Sequence, residues 1–235
     1  MLIIPTYKER DNIVSLVSRI RKAVGDEPIF FVDDNSPDGT ADEIRRLQQQ
    51  DPNVHLMARP GKGGYGSACR DAMKKILAEN LADYVIQCDA DLSHPPERLS
   101  NMLEMLKTSP VVIGSRYVRG GGANNWSLPR RILSFGANLY ARLFTGVPVH
   151  DMTAGFVGYR TEELRKINLD EIRSEGYAFL MEMKCTLHRR GATFCEFPII
   201  FSERESGKSK FSRKILYEGM RFPLKALGKR ISGTT

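Results

Sequence analysis

The sequence predicts an α/β fold, a mostly parallel sheet covered by helices on both faces, and three observations carry that prediction. Short apolar runs alternate with amphipathic, helix-spaced segments from Leu2 to Ser115, the pattern of strand, covering helix and parallel strand. The stretches just after these runs are crowded with Asp, Ser, Pro and Gly, as expected where the carboxyl ends of a sheet border a ligand crevice. The 235 residues are 41% hydrophobic and 27% charged, which suits one large domain with a substantial core and excludes collagen, coiled coil and disorder.

Leu2–Pro5 reads as a short first strand, and Ile13, Leu16, Val17, Ile20 and Val24 follow at helical spacing. The unit then repeats. Ile29–Val32 is the second strand with a helix over Asp38–Gln49, Val54–Ala58 the third with a helix over Gly66–Glu79, and Tyr84–Ile86 the fourth with a helix over Pro95–Lys107. Val111–Ile113 is the fifth strand, after which the alternation stops. Gly120-Gly121-Gly122 forms a loop leading to a long helix, Ser127–Phe144, whose stripe of Ile132, Phe135, Leu139 and Leu143 is flanked by Leu128, Tyr140 and Phe144. A strand at Phe156–Tyr159, a helix around Phe179–Arg189, a strand near Phe194–Phe201 and a basic C-terminal helix interrupted by Pro223 complete the chain.

No run approaches the roughly 18 apolar residues of a membrane-spanning helix, and the mean hydropathy is −0.33. Met1 is followed at once by Leu2-Ile3-Ile4 without a basic segment or a small-residue cleavage site, which argues against a secretory signal and for a cytoplasmic start. Cys69, Cys88, Cys185 and Cys195 form no CxxC pair, so reduced thiols are expected rather than disulfides or a zinc site. The net charge is +7, and from Glu203 onward nine basic residues face three acidic ones. The excess positive charge therefore sits in the last thirty or so residues, where nucleic acid, an acidic membrane or a phosphorylated ligand would meet it.

Three motifs follow predicted strands. The second strand runs into Asp33-Asp34-Asn35-Ser36-Pro37-Asp38-Gly39-Thr40, an acidic cluster able to accept hydrogen bonds from a nucleobase. Helix capping accounts for Asp38 but not for Asp33 or Asp34, and Ser36 stands where a DxDGT phosphatase would carry its nucleophilic Asp. Gly61, Gly63 and Gly66 satisfy GxGxxG, which serves equally a tight turn or a pyrophosphate cradle. The fourth strand ends in Cys88-Asp89-Ala90-Asp91-Leu92-Ser93-His94-Pro95-Pro96. Its two carboxylates lie one residue apart and point the same way on an extended chain, an arrangement that suits a hard divalent cation holding a diphosphate.

Together with Ile4-Pro5-Thr6-Tyr7-Lys8-Glu9, Gly114-Ser115-Arg116-Tyr117, Asp151-Met152-Thr153-Ala154-Gly155-Phe156, Glu175-Gly176-Tyr177 and Gly207-Lys208-Ser209-Lys210, these motifs resemble, in order and from Leu2 to about Phe211, the polyprenol (dolichol) phosphate mannosyltransferases. These are inverting family 2 glycosyltransferases. The resemblance implies the GT-A fold, a Rossmann-like, mixed but mostly parallel sheet flanked by helices, over residues 1–211. It also implies an interfacial amphipathic helix at 127–146 and a basic amphipathic tail at 212–235. Two departures stand out: Lys8 replaces the usual Asn of a PTYNE motif, and Ser93 replaces a longer amide that helps hold the metal in some relatives. The shortness of the first strand before Pro5 also leads to the expectation of a natural start upstream or of trimming.

The resemblance further implies that Pro5, Tyr7, Glu9, Asp33, Asp34, Asp89 and Ala90 bind the donor GDP-mannose, and that Asp89 and Asp91 hold Mg²⁺ or Mn²⁺ beneath its diphosphate. Asp91, Asp151 and Arg116 are the implied catalytic residues, with Asp151 favoured as a sugar-binding carboxylate, because a lipid phosphate is anionic near neutral pH and serves as its own nucleophile. Arg116, Arg131, Arg204, Lys208 and Lys210 are the implied cations for a polyprenyl or dolichyl phosphate acceptor. For residues 204–214 a solvated basic loop is the plain alternative. A peripheral place at the cytoplasmic face of a membrane follows, with a small membrane subunit as a further partner and no nucleic acid, since no recognised docking motif accompanies the basic tail. Glucose transfer from UDP-glucose, a non-catalytic nucleotide-sugar-binding paralogue and a basic nucleic-acid-binding module are the competing readings.

Overall fold

The structure, a computed structural model, describes residues 1–203 and 213–231, and within the second segment the side chains of 217–228. Seven strands form one sheet: β1 (Leu2–Thr6), β2 (Ile29–Asp33), β3 (Val54–Ala58), β4 (Tyr84–Gln87), β5 (Val111–Ser115), β7 (Val157–Arg160) and β8 (Phe194–Pro198), in the order β3-β2-β1-β4-β7-β5-β8. Two further short strands, β6 (Gly122–Ala123) and β9 (Ile200–Phe201), pair with each other in parallel. All neighbours in the main sheet are parallel except β7, which runs antiparallel between β4 and β5 and leads straight into a single helical turn, α6 (Thr161–Leu164). The fold is thus the expected mixed, mostly parallel sheet, with one reversed strand that apolar periodicity alone does not reveal.

Alternate residues of the strands feed two cores, as the period of two requires. Ile3, Phe30 and Val32 pack with Ala68, Cys69, Ala72 and Met73 of α3 (Tyr65–Glu79) and with Phe179, Met183 and Leu187 of α7 (Gly176–Arg189). On the opposite face, Leu2, Ile4 and Phe31 pack with Ile13, Leu16 and Ile20 of α1 (Arg10–Val24), Ile44 of α2 (Thr40–Gln48), and Met102 and Leu106 of α4 (Leu99–Leu106). The chain winds outward from β1 through β2 to β3 and then returns to β4 on the other side of β1, so the strand order reverses there. Ligand crevices lie beyond the carboxyl ends of strands at such a switch. The register Leu2↔Ile29 through Thr6↔Asp33, continued by Asp33↔Ala58, brings the ends of β1, β2 and β3 level at that edge.

Several boundaries differ from the sequence expectation. The first strand continues past Pro5 to Thr6, paired with Asp33. The apolar run Phe194–Phe201 splits at Ile199, because its last two residues leave the main sheet to pair with the glycine loop. The C-terminal helix, α8 (Arg213–Ile231), runs continuously through Pro223 instead of breaking there. It packs on α7 and on α5 (Leu128–Thr145), with Ala226 buried and the Tyr140 hydroxyl donating to the Met220 carbonyl at 3.0 Å. The four cysteines are free, as expected.

Burial pushes the thiols of Cys69 and Cys88 well above their ordinary pKa, and it does the same to the phenols of Tyr65 and Tyr159. A group whose folded pKa is raised supports the fold below its unfolded value and stops doing so as the unfolded chain alone begins to lose the proton. Free Cys titrates near about 8.5. Stability, followed as the urea midpoint between pH 7 and 10, is therefore expected to decline from about pH 8.5 upward, and Cys69→Ala with Cys88→Ala should flatten the onset of that decline.

Candidate active site

The turn after β1 and the turn after β2 hold each other. Thr6 and Ser36 hydroxyls donate to Asp33 Oδ1 at 3.0 and 2.6 Å, and the Ser36 amide donates to Asp33 Oδ2 at 2.9 Å. The Lys8 amide donates to Ser36 Oγ at 3.0 Å, which sets Lys8 in the left-handed region at φ +57°. Asn tolerates that conformation better than other L-residues, so Lys8 is accommodated there at a small conformational cost. Beside it the Tyr7 ring lies under the Lys62 ammonium, 3.8 Å from Nζ to the ring centre. Glu9 is buried and accepts from Asn12 Nδ2 at 2.8 Å, while Pro5 lies within β1 opposite Val32.

The glycine motif resolves in favour of the turn. Asp34 accepts from the Gly63 and Gly64 amides, each at 2.8 Å, and from Arg59 Nη1 at 2.6 Å. The Gly66 and Ser67 amides at the start of α3 donate to Glu175 at 2.7 and 2.9 Å, and Arg70 pairs with the same carboxylate. Helix N-termini attract anions, and here the chain supplies its own from more than a hundred residues away, so these amides offer no diphosphate cradle. A Cβ on Gly66 would sit 2.7 Å from the Ser174 carbonyl oxygen, which explains the glycine by close approach. Glu175→Ala orphans two amides and a guanidinium and is expected to lower unfolding stability by about 2 kcal/mol, read as a shift in urea midpoint at unchanged m-value.

At the end of β4, Asp89 and Asp91 leave the sheet together. Asp89 Oδ1 accepts from the Tyr65 hydroxyl at 3.0 Å, itself an acceptor from Gln87 Nε2 at 2.8 Å, and the Asp89 amide donates to His94 Nδ1 at 3.1 Å. That bond assigns the proton of a neutral His94 to Nε2, which faces Asp89 Oδ2 at 3.8 Å. Asp91 is 8% exposed and accepts from the Ser93 amide at 3.1 Å. Leu92 between them sits at φ +61°, an unusual conformation for a bulky residue and one found at functional turns. The Ser93 hydroxyl is buried and makes no hydrogen bond among the described residues. Ala90 is buried within the core cluster that also holds Cys88 and Leu92. Among the described residues no cluster of three or more His, Cys, Asp or Glu side chains is placed to hold a metal ion.

The opposite wall is built around Arg116, just after β5. Its Nε and Nη2 donate to the two oxygens of Asp151 at 2.8 and 2.7 Å, its amide donates to Asp151 at 3.0 Å, and Nη2 also reaches Thr153 Oγ1 at 2.8 Å. Asp151 is 0% exposed. Burial drives its carboxyl upward, but the guanidinium outweighs burial and holds it below the usual carboxylate range. Nη1 of Arg116 makes no hydrogen bond among the described residues, and the guanidinium lies 5.5 Å from the ring centres of both Trp126 and Phe201. A cavity of about 260 Å³ brings Arg116 together with Arg131, Tyr117, Trp126 and Phe135. Two of the five expected acceptor cations thus share one cavity, whereas Arg204, Lys208 and Lys210 lie outside the described residues.

Over this cavity α5 turns its apolar side outward. Leu128, Leu133 and Leu143 are 69%, 72% and 64% exposed, Ile132, Phe135 and Leu139 are exposed beside them, and the buried positions are Asn138, Ala141 and Thr145. Tyr217, Met220 and Leu224 of α8 are likewise exposed. The stripe is therefore not a core-packing face. Among the described residues no helix is long and apolar enough to cross a membrane.

Sequence reasoning missed Glu175 as the cap of α3, Tyr65 as the partner of Asp89, and a buried set of Asn138, Lys184 and Glu196 behind Asp151. Lys184 was legible in principle. It falls four residues after Leu180 and three before Leu187, on the face of α7 that the apolar spacing marks as buried.

Comparison with known proteins agrees with this architecture. Residues 1–167 match the family described as Glycosyl transferase family 2. The chain is 41% identical over 220 residues to an undecaprenyl-phosphate mannosyltransferase of Micrococcus luteus, covering 94% of this chain and 90% of that one. It is 41% identical over 222 residues to a polyprenol monophosphomannose synthase of Mycolicibacterium smegmatis, covering 94% and 83%. In fold it is similar to glucosyl-3-phosphoglycerate synthase of Mycobacterium tuberculosis, solved with Mn²⁺, UDP-glucose and glycerol 3-phosphate, with a TM-score of 0.65, 18% identity and coverage of 98% and 79%. The strand-end carboxylates, the switch in strand order and the family match together make this chain a hexosyltransferase of the GT-A fold that belongs to glycosyltransferase family 2.

Proposed function

We propose that this enzyme transfers mannose from GDP-mannose to a polyprenyl phosphate, with inversion at the anomeric carbon, at the cytoplasmic face of a membrane. The observation that carries the reading is the cavity of Arg116 and Arg131, which shares Phe135 with the exposed apolar side of α5. An acceptor with an anionic head and a long apolar tail fits that pairing, whereas a soluble sugar acceptor leaves the apolar face without a purpose. The mannosyltransferase relatives favour this donor sugar.

The residues at the end of β4 suit a divalent cation. Asp89 and Asp91 supply two hard carboxylate oxygens, the Ser93 hydroxyl beside them is buried and has no hydrogen-bond partner among the described residues, and an ion that completes its shell with phosphate oxygens and water needs no third carboxylate. When bound, Mg²⁺ or Mn²⁺ supplies charge stabilisation to a leaving diphosphate. Tyr65 and His94 orient Asp89 for that task. Pro5, Tyr7, Glu9, Asp33 and Asp34 shape the nucleoside side, although the Asp33 and Asp34 carboxylates already serve the turns they cross-link, so base recognition falls to what their remaining lone pairs and the neighbouring backbone offer. Arg116 and Arg131 hold the acceptor phosphate, whose oxygen attacks without a general base, and Arg204, Lys208 and Lys210 add cations from the following segment. Asp151, ion-paired and buried, acts through Arg116 rather than on a proton.

Two measurements test the reading. Titration calorimetry with Mn²⁺ present should show GDP binding more tightly than UDP; the reverse order would favour UDP-glucose as donor. Binding to anionic vesicles should fall by at least tenfold in an Ile132→Glu, Leu133→Glu double variant, since each replacement removes apolar area and adds charge repulsion. Unchanged vesicle binding would instead assign that face to a protein partner such as a small membrane subunit.

A further inference from the structure

Behind the site lies a lysine that the reaction scheme does not use. Lys184, on α7, is 0% exposed, and its ammonium donates to the carbonyls of Ala154, Met152 and Leu180 at 2.9, 3.2 and 3.4 Å. Two of these three acceptors belong to the segment Asp151–Gly155, whose ends touch both halves of the site. At one end Asp151 and Thr153 hold the Arg116 guanidinium. At the other, a Cβ on Gly155 would stand 3.1 Å from the Tyr65 hydroxyl and 3.7 Å from Asp89 Oδ1, so the backbone lies directly against the first carboxylate of the DxD pair. The same segment is tied by Asn138, which accepts from the Thr153 amide at 3.1 Å, and by Glu196, which accepts from the Asp151 amide at 3.0 Å.

We propose that Lys184 is a positioning residue for glycosyl transfer, its buried ammonium clamping the 152 and 154 carbonyls so that Arg116 and Asp89 are held at a fixed separation across the crevice. This deepens the transferase reading above and rests on it. The clamp suits an ammonium, whose three donors diverge onto three carbonyls, better than any neutral side chain. A buried cation is costly unless compensated, and compensation is present: Asp151 and Glu196 face it, against repulsion from Arg116, with the neighbouring Cys185 thiol on its own helix. Burial nonetheless lowers its pKa to about 8, so the clamp weakens within an accessible alkaline range.

The test uses the full chain. Lys184→Met keeps the volume and removes the donors, and Lys184→Gln restores two of them without charge. Amide exchange of residues 151–155 should quicken at least tenfold in Lys184→Met, with β1 and β2 unchanged, and kcat for transfer should fall at least thirtyfold while KM for the donor moves less than threefold. Lys184→Gln should recover part of kcat. In the wild type kcat should decline through about pH 8, a decline absent in both variants. Unchanged exchange over 151–155, a kcat within twofold of wild type in Lys184→Met, or the same alkaline decline in wild type and variants would each overturn the proposal. Should Lys184→Met fail to fold, the kcat and pH profile of Lys184→Gln decide between the same outcomes. Quickened exchange in Lys184→Met, beside a wild type that transfers no sugar to lipid, would instead sink the transferase reading and leave the clamp standing.

Discussion

Asp91→Asn is expected to lower kcat for sugar transfer by about a thousandfold while leaving the fold intact. The substitution keeps size and shape, and the Ser93 amide that donates to Asp91 Oδ1 still finds an acceptor in the new side chain. What it removes is one of two carboxylates at the end of β4, at a buried position where charge acts in a low dielectric. Losing a single well-placed electrostatic contact to a developing anion costs roughly 10² to 10³ in rate, and a divalent cation held by one carboxylate instead of two loses affinity as well. Raising the metal concentration should therefore recover part of the activity of Asp91→Asn but little of that of the Asp89→Ala, Asp91→Ala double variant. Equal activity of wild type and Asp91→Asn at every metal concentration would remove the carboxylate pair from the mechanism.

Asp151→Ala is the substitution with the largest expected effect on stability, about 3–5 kcal/mol, because it leaves the Arg116 guanidinium buried without its counter-charge. Both carboxylate oxygens of Asp151 and three N–H groups of Arg116 take part in the pair. The pH dependence has a definite sign. A carboxyl whose folded pKa lies below its unfolded value stabilises the fold above about pH 4 and ceases to as the pH falls through the folded value. The urea midpoint of the wild type should accordingly drop on acidification below pH 4, and Arg116→Lys, which cannot make the bidentate contact, should bring that drop to higher pH while losing at least tenfold in acceptor affinity.

Sheet, helices and the main acidic motifs were legible in the sequence because each rests on local signals. Apolar runs of four or five residues, each followed by helical spacing, locate β1 to β5 and α1 to α4, and a carboxylate just after a strand reads directly as a crevice group. The reversed strand β7 was hidden, since Val157–Tyr159 has the same apolar content whichever way it runs and only its insertion between β4 and β5 fixes the direction. The GxGxxG pattern misleads for a related reason. Its amides are filled by Asp34 and Glu175, and the partnership of Glu175 with Gly66 spans a separation in sequence that no motif records. Asp151 and Arg116 were each singled out in the sequence but their pairing was not, because it depends on β5 and the loop before β7 meeting at one sheet edge.

The α5 stripe marks the limit of periodicity. Ile132, Phe135, Leu139 and Leu143 predict a one-sided helix equally for a core or for an interface, and only the inward placement of Asn138, bonded to Thr153, shows that the polar side faces the protein.

Transfer of radiolabelled mannose from GDP-mannose to a short polyprenyl phosphate, in detergent with Mn²⁺ and with UDP-glucose in parallel, tests the central claim most directly. The account predicts metal-dependent labelling of the lipid from GDP-mannose alone, abolished in the Asp89→Ala, Asp91→Ala double variant and sharply reduced in Arg116→Ala. Labelling from UDP-glucose only, or labelling that persists without a divalent ion and without both carboxylates, would contradict it.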